Sequence, residues 1–426
     1  MKNKYELIVV GGGFAGVAAA IAAAKRGVDV LIIEKYNCLG GAAVSQLVLP
    51  FMPYWSQMPV TLEKKYLCGS IFLEIFDEMN KLTAPENKKG FNELLYFDEE
   101  ILKLVLNRMA KKYGISLLFN TTVTGALVED GEIKKITALG KSKVIELEAD
   151  TFIDATGDGE LSMLAGCQYT VGREKYSLCQ PMTLCFRMAG VDREKYIKDS
   201  ARINELYKEY QAKGLIKNPR ENILVFHNYN DNVMHFNTTR IVKKNPTDPF
   251  DVTDAEIEAR EQVFEMLDFL KKNSDAFKNA RILSTALQIG IRESRKIVGE
   301  YTLSVDDLMK RARFSDAIAV ANYSIDIHSP DGSGTYQYYF SDGEWYEIPY
   351  RCLVPKGIVN MLVAGRCISS THEAQASFRV MPFCSEIGQA AGTAIAVAKE
   401  TGAPLREVDI EKVRKILISA GYAIKS

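Results

Sequence analysis

The beginning of the chain alternates between short apolar runs and small or polar residues in a regular order. Residues 5–10, YELIVV, are typical of a buried strand, and the alanine-rich stretch after three glycines is typical of a helix that ends at Gly27. A second apolar run, VDVLII, is followed by Glu34. Together these runs predict a strand, a helix and a second strand parallel to the first, which is the βαβ unit of an α/β protein.

Two later segments extend the predicted sheet. Residues 118–160 alternate apolar and polar positions around the turn signals EDG and GK, which predicts an antiparallel meander that ends in a buried strand. Residues 361–364, MLVA, predict one more buried strand, and a helix of small residues begins near Pro382. Residues 97–114 carry apolar positions at helical spacing and predict an amphipathic helix that leads into the meander.

The middle of the chain has a different pattern. Charged, helix-like stretches at 201–213 and 254–272 follow a predicted strand at 180–190. The aromatic segment YQYYFSDGEWYEI predicts a hairpin that turns at residues 341–343, and residues 409–424 predict a C-terminal packing helix. This change of pattern indicates an α+β region inserted between parts of the α/β domain.

Composition narrows the class of protein. The chain has 426 residues, which is longer than one hydrophobic core usually grows, so two domains are expected. The net charge of −1 argues against a nucleic-acid partner, and no run reaches the roughly 18 apolar residues of a membrane span. The eight cysteines include no CxxC pair, which predicts reduced thiols in a cytoplasmic protein and neither a metal site nor an iron–sulfur cluster.

The turn between the first strand and the first helix carries the spacing GxGxxG at Gly11, Gly13 and Gly16. The first glycine permits a tight turn, the second lets the backbone approach a pyrophosphate, and the third lets helix and strand pack closely. The free N–H groups and the positive end of the helix dipole favour phosphate here. Glu34 follows 18 residues after the third glycine, where it can bind a ribose diol and would repel the 2′-phosphate of NADP. The turn therefore predicts NAD or FAD and does not choose between them.

Three later segments of small residues favour FAD. Gly40–Ala42 follow the ribose-binding acid, Ala155–Gly157 follow the meander, and Gly365–Arg366 follow the strand near the C-terminus. Small residues let the backbone pass close to an extended cofactor. In this order, and with the sequence ATG at 155–157, the segments resemble the glutathione-reductase-like FAD flavoproteins.

Over most of its length the chain is similar to the family of FAD-dependent oxidoreductases, which is related to the heterodisulfide-reductase flavoprotein subunit. Residues 289–303, IGIRESRKIVGEYTL, and 321–330, ANYSIDIHSP, share this likeness. The resemblance implies a Rossmann-type FAD domain with an inserted α+β substrate or cap domain, Val123 beside the adenine, and a helix near Pro382 whose N-terminus faces the flavin ring. Two features depart from these relatives: Arg366 stands where many members have an acid, and the cysteine spacing of the iron–sulfur subunits is missing.

The resemblance and the glycine pattern together give a domain plan and a cofactor site. The expected FAD-binding domain is discontinuous and comprises residues 1–50, 95–165 and 350–400, with the substrate or cap domain at 166–349 and the C-terminal packing helix at 401–426. The residues expected to bind FAD are Gly11, Gly13, Phe14, Ala15, Gly16, Glu34, Lys35, Gly40, Gly41, Ala42, Val123, Ala155, Thr156, Gly157, Gly365, Arg366 and Pro382.

Several side chains are candidates for positioning a substrate and moving protons, since the flavin itself performs the redox step. Arg292 and Arg295 would share a face if helical and could hold a carboxylate; alternatively they form an ion-paired lock with Glu293. His372 and Arg379 lie in the loop expected beside the flavin ring.

His328 follows Asp326 by two residues on a predicted strand, so the two side chains share a face. The pair could relay protons, or the histidine could make a structural hydrogen bond.

The leading functional hypothesis is an FAD-dependent oxidoreductase that acts on a small organic substrate, for which an anion is one candidate. The alternatives are an NAD-dependent dehydrogenase, a flavoprotein that relays electrons to a protein partner, and a protein that binds FAD only as a structural group. No second GxGxxG occurs, which leaves the electron donor open between NAD(P)H, another small molecule and a protein. An arginine-bearing cavity beside the flavin would favour the enzyme, and an exposed flavin edge would favour the relay. The sequence does not set the oligomeric state.

Overall fold

The computed structural model describes residues 2–83, 96–227 and 232–424. The strands in these ranges, numbered in chain order, are Lys4–Val10 (β1), Val30–Ile33 (β2), Trp55–Gln57 (β3), Lys64–Tyr66 (β4), Ser116–Leu118 (β5), Thr121–Glu129 (β6), Glu132–Gly140 (β7), Lys143–Asp154 (β8), Tyr169–Val171 (β9), Phe186–Ala189 (β10), Val225–His227 (β11), Val233–Phe236 (β12), Arg281–Thr285 (β13), Arg295–Ile297 (β14), Ala317–Ala321 (β15), Ile325–His328 (β16), Thr335–Tyr338 (β17), Tyr346–Pro349 (β18) and Met361–Val363 (β19). The α-helices are Phe14–Ala24 (α1), Ala42–Ser45 (α2), Ser70–Leu82 (α3), Glu99–Lys112 (α4), Glu160–Leu164 (α5), Arg193–Ala212 (α6), Pro249–Asn273 (α7), Val305–Met309 (α8), His372–Phe378 (α9), Met381–Thr401 (α10) and Ile410–Ser419 (α11).

The largest sheet combines parallel and antiparallel pairing. Strands β5, β2, β1 and β8 lie in this order and run parallel, and β19 pairs in parallel with the last residues of β8. The first residues of β8 instead pair with β7, and β7 pairs with β6, as the expected antiparallel meander. The carboxyl ends of β1, β2, β8 and β19 therefore meet at one edge, where open parallel sheets bind their ligands. The α/β fold with a Rossmann-type core is confirmed.

Helices α1 and α10 pack against each other above this sheet. Every residue of α1 from Phe14 to Ala23 is buried, which explains why alanine and other small residues fill it rather than an amphipathic pattern. At Gly388 and Gly392 of α10, a Cβ atom would lie 2.0 Å from the carbonyl oxygens of Ala15 and Ala19. Glycine at these two positions therefore lets the helices approach closely and holds the N-terminus of α1 in place.

A second, antiparallel sheet is formed by residues from the middle of the chain, in the order β11, β12, β10 and β13. Helix α7 begins at Pro249, earlier than the charge pattern predicted, because the Asp248 carboxylate caps it by accepting from the N–H of Phe250 at 2.8 Å. The predicted strand at 180–190 is limited to β10, and Met182 and Thr183 make only isolated bridges before it.

The expected aromatic hairpin is wrong. Its two halves belong to different two-stranded sheets, since β17 pairs with β16 and β18 pairs with β15. The halves also differ in burial: Tyr336 and Tyr339 are 60% and 68% exposed, whereas Trp345 and Tyr346 are buried. The two halves therefore pack against different partners, which the apolar pattern of the segment alone does not distinguish.

The described strands of the large sheet come from residues 4–154 and 361–363, and those of the four-stranded sheet from 186–285. The domain boundaries given above stay a prediction. All eight cysteines are free thiols. No helix in the described ranges is both long and apolar enough to cross a bilayer.

Candidate active site

A cleft of about 930 Å³ lies at the carboxyl edge of the parallel strands, and we call it the cofactor cavity. Val10, Ile33, Ala155 and Ala364 line it at the ends of β1, β2, β8 and β19. The N-terminus of α1 borders the same space through Gly13, Phe14 and Ala15. Four strand ends and one helix end thus converge on a single cavity.

The backbone around this cavity fits a dinucleotide. Gly13 occupies the N-cap position of α1 with no side-chain cap, and the first turn has no acidic residue, so its free N–H groups can bind phosphate. Gly11 has a φ of +101°, and a Cβ there would lie 2.5 Å from the carbonyl oxygen of Ala155. The glycine turn and the loop after β8 therefore form a narrow cradle that a side chain would fill.

Glu34 stands at the end of β2, where the ribose-binding acid was expected. Its Oε2 accepts from the N–H of Gly12 at 2.6 Å and its Oε1 accepts from the N–H of Tyr36 at 2.9 Å. These two bonds fix the carboxylate against the glycine turn while it also lines the cofactor cavity. The geometry is consistent with the predicted ribose contact, because each carboxylate oxygen has a further lone pair that can accept a hydrogen bond from a ribose hydroxyl.

Four charged side chains at the cofactor cavity form two ion pairs. Arg366 bonds Asp158 at 2.6 Å, and Lys35 bonds Glu160 at 3.3 Å. Burial alone would raise the pKa of Asp158, yet Arg366 and Lys35 hold it below its usual range. The Arg366 guanidinium lies against Gly157, where a Cβ would meet its Nη1 at 2.6 Å. The arginine that replaces the acid of other family members is thus compensated by the neighbouring aspartate.

The cofactor cavity brings together most of the residues predicted to bind FAD. The predicted residues that line it are Gly11, Gly13, Phe14, Ala15, Glu34, Lys35, Gly40, Gly41, Ala42, Val123, Ala155, Thr156, Gly157, Gly365 and Arg366. Gly16 and Pro382 are not among the lining residues. Gly16 packs beneath the turn, where a Cβ would lie 1.9 Å from the carbonyl oxygen of Gly11, and Pro382 lies inside the first turn of α10. Their predicted contact with FAD remains a prediction.

Sequence reasoning missed side chains that reach this cavity from other segments. The Tyr36 hydroxyl donates to the side-chain oxygen of Gln288, and both residues line the cavity. Gln288 follows β13, so the inserted region contributes to the cofactor cavity without any local motif. Asp158 and Glu160, in contrast, follow the ATG run at 155–157, and their charge next to small residues is a usable signal.

A second cavity, of about 1080 Å³, adjoins the first, and we call it the arginine cavity. The two cavities share the lining residues Ala42, Gln46, Arg366, Arg379 and Met381. The arginine cavity is further lined by Arg220 and Arg292, by Asp326 and His328 of β16, and by an apolar wall formed by Val48, Pro50, Met52, Leu224, Phe226 and Ile291. It is therefore an amphiphilic space in direct contact with the cofactor cavity.

Arg292 has no carboxylate partner among the described residues. Its Nη1 donates to the carbonyl oxygen of Pro181 at 2.6 Å and to Thr183 Oγ1 at 2.7 Å, and its Nη2 lies 3.5 Å from Asn237 Oδ1. Part of the Arg292 side chain is accessible to solvent, although protein atoms surround its guanidinium group on most sides. Burial, together with the nearby Arg379 and Arg220, lowers the pKa of Arg292 to about 9. The neutral contacts orient the guanidinium and leave its charge uncompensated.

Asp326 and His328 form a series of hydrogen-bonded contacts behind Arg379, which also lines this cavity. Arg379 Nη2 donates to Asp326 Oδ2 at 3.2 Å, and His328 Nε2 lies 3.2 Å from the same oxygen. On the other side, Arg240 Nη2 lies 2.9 Å from His328 Nδ1. Because an arginine can only donate, Nδ1 must accept and the proton must sit on Nε2, where it is donated to Asp326.

This network fixes His328 in its neutral form. Burial lowers the pKa of His328 to about 3, and Arg292 lowers it further, while Asp326 opposes the change. Both ring nitrogens are occupied by protein partners, so the predicted proton relay through His328 lacks a nitrogen free to face a substrate. Of the two interpretations given above, the structural hydrogen bond agrees with the geometry.

Two other candidates, His372 and Arg295, are not among the residues that line either cavity. His372 Nδ1 bonds Glu293 Oε2 at 2.7 Å, and Lys296 bonds the other oxygen of Glu293 at 2.6 Å, which forms a buried ionic cluster. Arg295 begins β14 and donates to the carbonyl oxygen of Asp158 at 3.2 Å. The segment is not helical, so Arg292 and Arg295 do not share a helix face: Arg292 precedes β14 in an irregular segment. The alternative, an ion-paired lock of both arginines with Glu293, is not formed either, since Glu293 pairs with Lys296 and His372 instead.

Comparison with known proteins identifies the family of this chain and proteins that are similar to it in sequence. A family model described as FAD dependent oxidoreductase matches residues 6–417. The chain is 26% identical over 202 residues to digeranylgeranylglycerophospholipid reductase 1 of Methanococcoides burtonii, and 29% identical over 191 residues to the digeranylgeranylglycerophospholipid reductase of Methanocella arvoryzae. The two matches cover 45% and 42% of this chain. The chain spans less than half of the length of each relative, namely 46%.

Solved structures of low sequence identity share the fold. BexE, a protein studied for oxidation during BE-7585A biosynthesis, superposes with a TM-score of 0.50 at 12% identity and covers 97% of this chain and 67% of its own. That likeness concerns the fold alone. The family model spans nearly the whole chain and the cavity fits a dinucleotide, so the cofactor is FAD and the NAD-dependent alternative is set aside. The chain is an enzyme and belongs to the FAD-dependent oxidoreductase family.

Proposed function

We propose that this enzyme transfers hydride or electrons between FAD and a small organic anion held in the arginine cavity. The observation that carries the proposal is the uncompensated charge of Arg292 at a cavity that adjoins the cofactor cavity. A buried charge without an ionic partner is costly, and an anionic ligand would offset that cost. Carboxylates suit this place because a guanidinium can bind both carboxylate oxygens.

The proposed roles of the protein follow from these contacts. FAD, when bound, supplies the redox chemistry. Arg292 binds the anionic group, oriented by Pro181 and Thr183. Arg379 provides a second donor, because its Nε is buried without a partner. Asp326 positions Arg379, and His328 positions Asp326 through its fixed tautomer.

Reduction of an isoprenoid lipid is a second candidate. The relatives named above are reductases of digeranylgeranylglycerophospholipids, and the apolar wall of the arginine cavity is compatible with a hydrocarbon chain. A purely apolar substrate would leave Arg292 without a counter-ion, so we favour a substrate with both an anionic group and an apolar body.

Other expectations from the sequence stay proposals. They are the relation to the heterodisulfide-reductase flavoprotein subunit, the cytoplasmic location and the identity of the electron donor. The electron relay is the less favoured function, since the arginine cavity gives a substrate a place beside the cofactor.

The test compares an acid with its neutral amide. The FAD-loaded protein is titrated with butyrate and with butyramide while the flavin absorption spectrum is recorded. The chemically reduced protein is then mixed with crotonate or crotonamide, and the return of flavin absorption is timed. We expect the acids to perturb the spectrum and to speed reoxidation, and the amides to do neither. Equal responses to acid and amide would contradict the proposal, and a response only to a geranylgeranyl lipid would favour the second candidate.

A further inference from the structure

The charges around the arginine cavity do not balance. Four arginines line it, namely Arg220, Arg292, Arg366 and Arg379. Arg240 lies directly behind the wall, where it bonds His328. The carboxylates that contact these arginines in the described part of the chain are Asp158, Asp326 and Glu221.

Three of the five arginines have a close partner each. Asp158 bonds Arg366 at 2.6 Å, Asp326 bonds Arg379 at 3.2 Å, and Glu221 bonds Arg240 at 3.1 Å. His328 adds no charge, because its tautomer is fixed in the neutral form by Arg240 and Asp326. Arg220 and Arg292 therefore carry two positive charges for which the described residues offer no separate carboxylate.

Arg220 resembles Arg292 in how it is held. It is 5% exposed, its Nε lies 3.3 Å from Asn222 Oδ1, and its approach to the shared Glu221 is long, at 3.9 Å. Arg292 is held by the neutral oxygens of Pro181 and Thr183. Neutral partners orient both guanidinium groups while leaving their charges available to a ligand.

The phosphates of FAD do not account for this excess. Arg220 and Arg292 line the arginine cavity and are absent from the residues that line the cofactor cavity. The helix end expected to hold the pyrophosphate, at Gly13, opens onto the cofactor cavity. A ligand in the arginine cavity is thus the partner that could neutralise both charges.

We propose that the substrate carries two negative charges, either as two carboxylates or as one phosphate group, with Arg292 and Arg220 as the two anchoring cations. This inference rests on the proposed function and specifies the substrate class. Two cations without a separate carboxylate of their own in one cavity favour a dianion over a monoanion, because a monoanion leaves one charge uncompensated.

The test is a titration of the FAD-loaded protein at low and at physiological salt, followed by flavin absorption. The probes are succinate, ethyl phosphate, butyrate and the neutral dimethyl succinate. We expect succinate or ethyl phosphate to bind at least about tenfold more tightly than butyrate, and dimethyl succinate to show no saturation. The tighter of the two dianions identifies whether carboxylates or phosphate are recognised.

Variants of Arg220 separate the inference from the proposed function. In Arg220→Gln, the preference for the dianion over butyrate should fall below about threefold, and Arg220→Lys should restore most of the preference. Flavin absorption and the melting temperature of both variants check that they fold and keep FAD. Equal affinity of the unchanged protein for butyrate and both dianions would overturn the inference and leave the proposed function standing. Absence of binding by every anion would overturn both.

Discussion

The cofactor cavity and the arginine cavity adjoin each other but are built in opposite ways. The cofactor cavity is formed largely by backbone and small residues at the ends of adjacent strands, and four of its charged side chains form two ion pairs. The arginine cavity is formed by side chains from segments far apart in the chain, and two of its arginines lack a carboxylate of their own. The charges of the cofactor cavity are therefore balanced without a ligand, whereas those of the arginine cavity are not.

This difference suggests how the two ligands are recognised. A cofactor that stays bound can be held by many backbone contacts, which depend on chain geometry and need glycine. A substrate that must enter and leave can be attracted by an excess of charge, which acts through space and needs only a few side chains. Substitutions at the two cavities should accordingly affect different measurements.

The largest effect is expected at Gly11. In Gly11→Val, the added side chain meets the Ala155 carbonyl, where even a Cβ would lie at 2.5 Å, and the residue must adopt a φ of +101°. We expect the affinity for FAD to fall by about 100-fold or more, measured as the ratio of flavin to protein absorption after purification. Gly27→Ala is the matched control, because its φ is also positive but no atom lies within 4 Å of the new Cβ. FAD retention by Gly11→Val would show that the cradle is not where the dinucleotide binds.

The next effect is a dependence of anion binding on pH. Burial lowers the pKa of Arg292 to about 9, so its positive charge is present below that pH and is lost above it. The dissociation constant for butyrate should therefore be constant between pH 6 and 8 and rise about tenfold for each unit above pH 9. His328 contributes no step in this range, since its pKa is about 3. A transition near pH 6.5 in the titrations would contradict the neutral, fixed state of His328.

A smaller effect is expected when His328 itself is replaced. His328→Leu removes both the acceptor for Arg240 and the donor to Asp326, so Arg379 loses its alignment. We expect KM to rise about fivefold with kcat nearly unchanged. His328→Gln keeps one acceptor and one donor and should restore KM to within about twofold. If the two variants behave alike, the hydrogen bonds of the ring are not what positions Asp326.

The smallest effect is expected at the half-exposed edge of the cofactor cavity. Lys35 and Glu160 form an ion pair in which the side chains are 32% and 35% exposed. Exposed pairs contribute little, so Lys35→Met should weaken FAD binding by only about two- to threefold. Flavin release on dilution measures this change, and the affinity for butyrate serves as its internal control.

The contrast between the cavities also explains what could be predicted from the sequence. The glycine turn, Glu34 and the ATG run lie within short segments whose spacing dictates backbone geometry, so their convergence follows from the order of strands in a parallel sheet. The arginine cavity has no such local rule. Arg220, Asn237 and Asp326 come together only through the tertiary packing of the inserted region.

The directions of two candidate side chains depend on tertiary packing in the same way. The spacing of Arg292 and Arg295 gives them a common face only in a helix, yet an irregular segment separates Arg292 from β14, and only Arg292 lines the arginine cavity. His372 is a candidate because of its position before the flavin-facing helix, and its ring contacts Glu293; its role in catalysis stays a prediction. In both cases the side-chain direction depended on partners distant in the chain.

Arg292 is proposed to hold an anion beside FAD without taking part in FAD binding. The most direct test measures butyrate binding by flavin absorption in Arg292→Met and in the matched variant Arg295→Met, which changes an arginine outside both cavities. We expect the dissociation constant to rise about 100-fold in Arg292→Met and less than twofold in Arg295→Met, with full FAD content in both. An unchanged dissociation constant in Arg292→Met, with FAD retained, would contradict it.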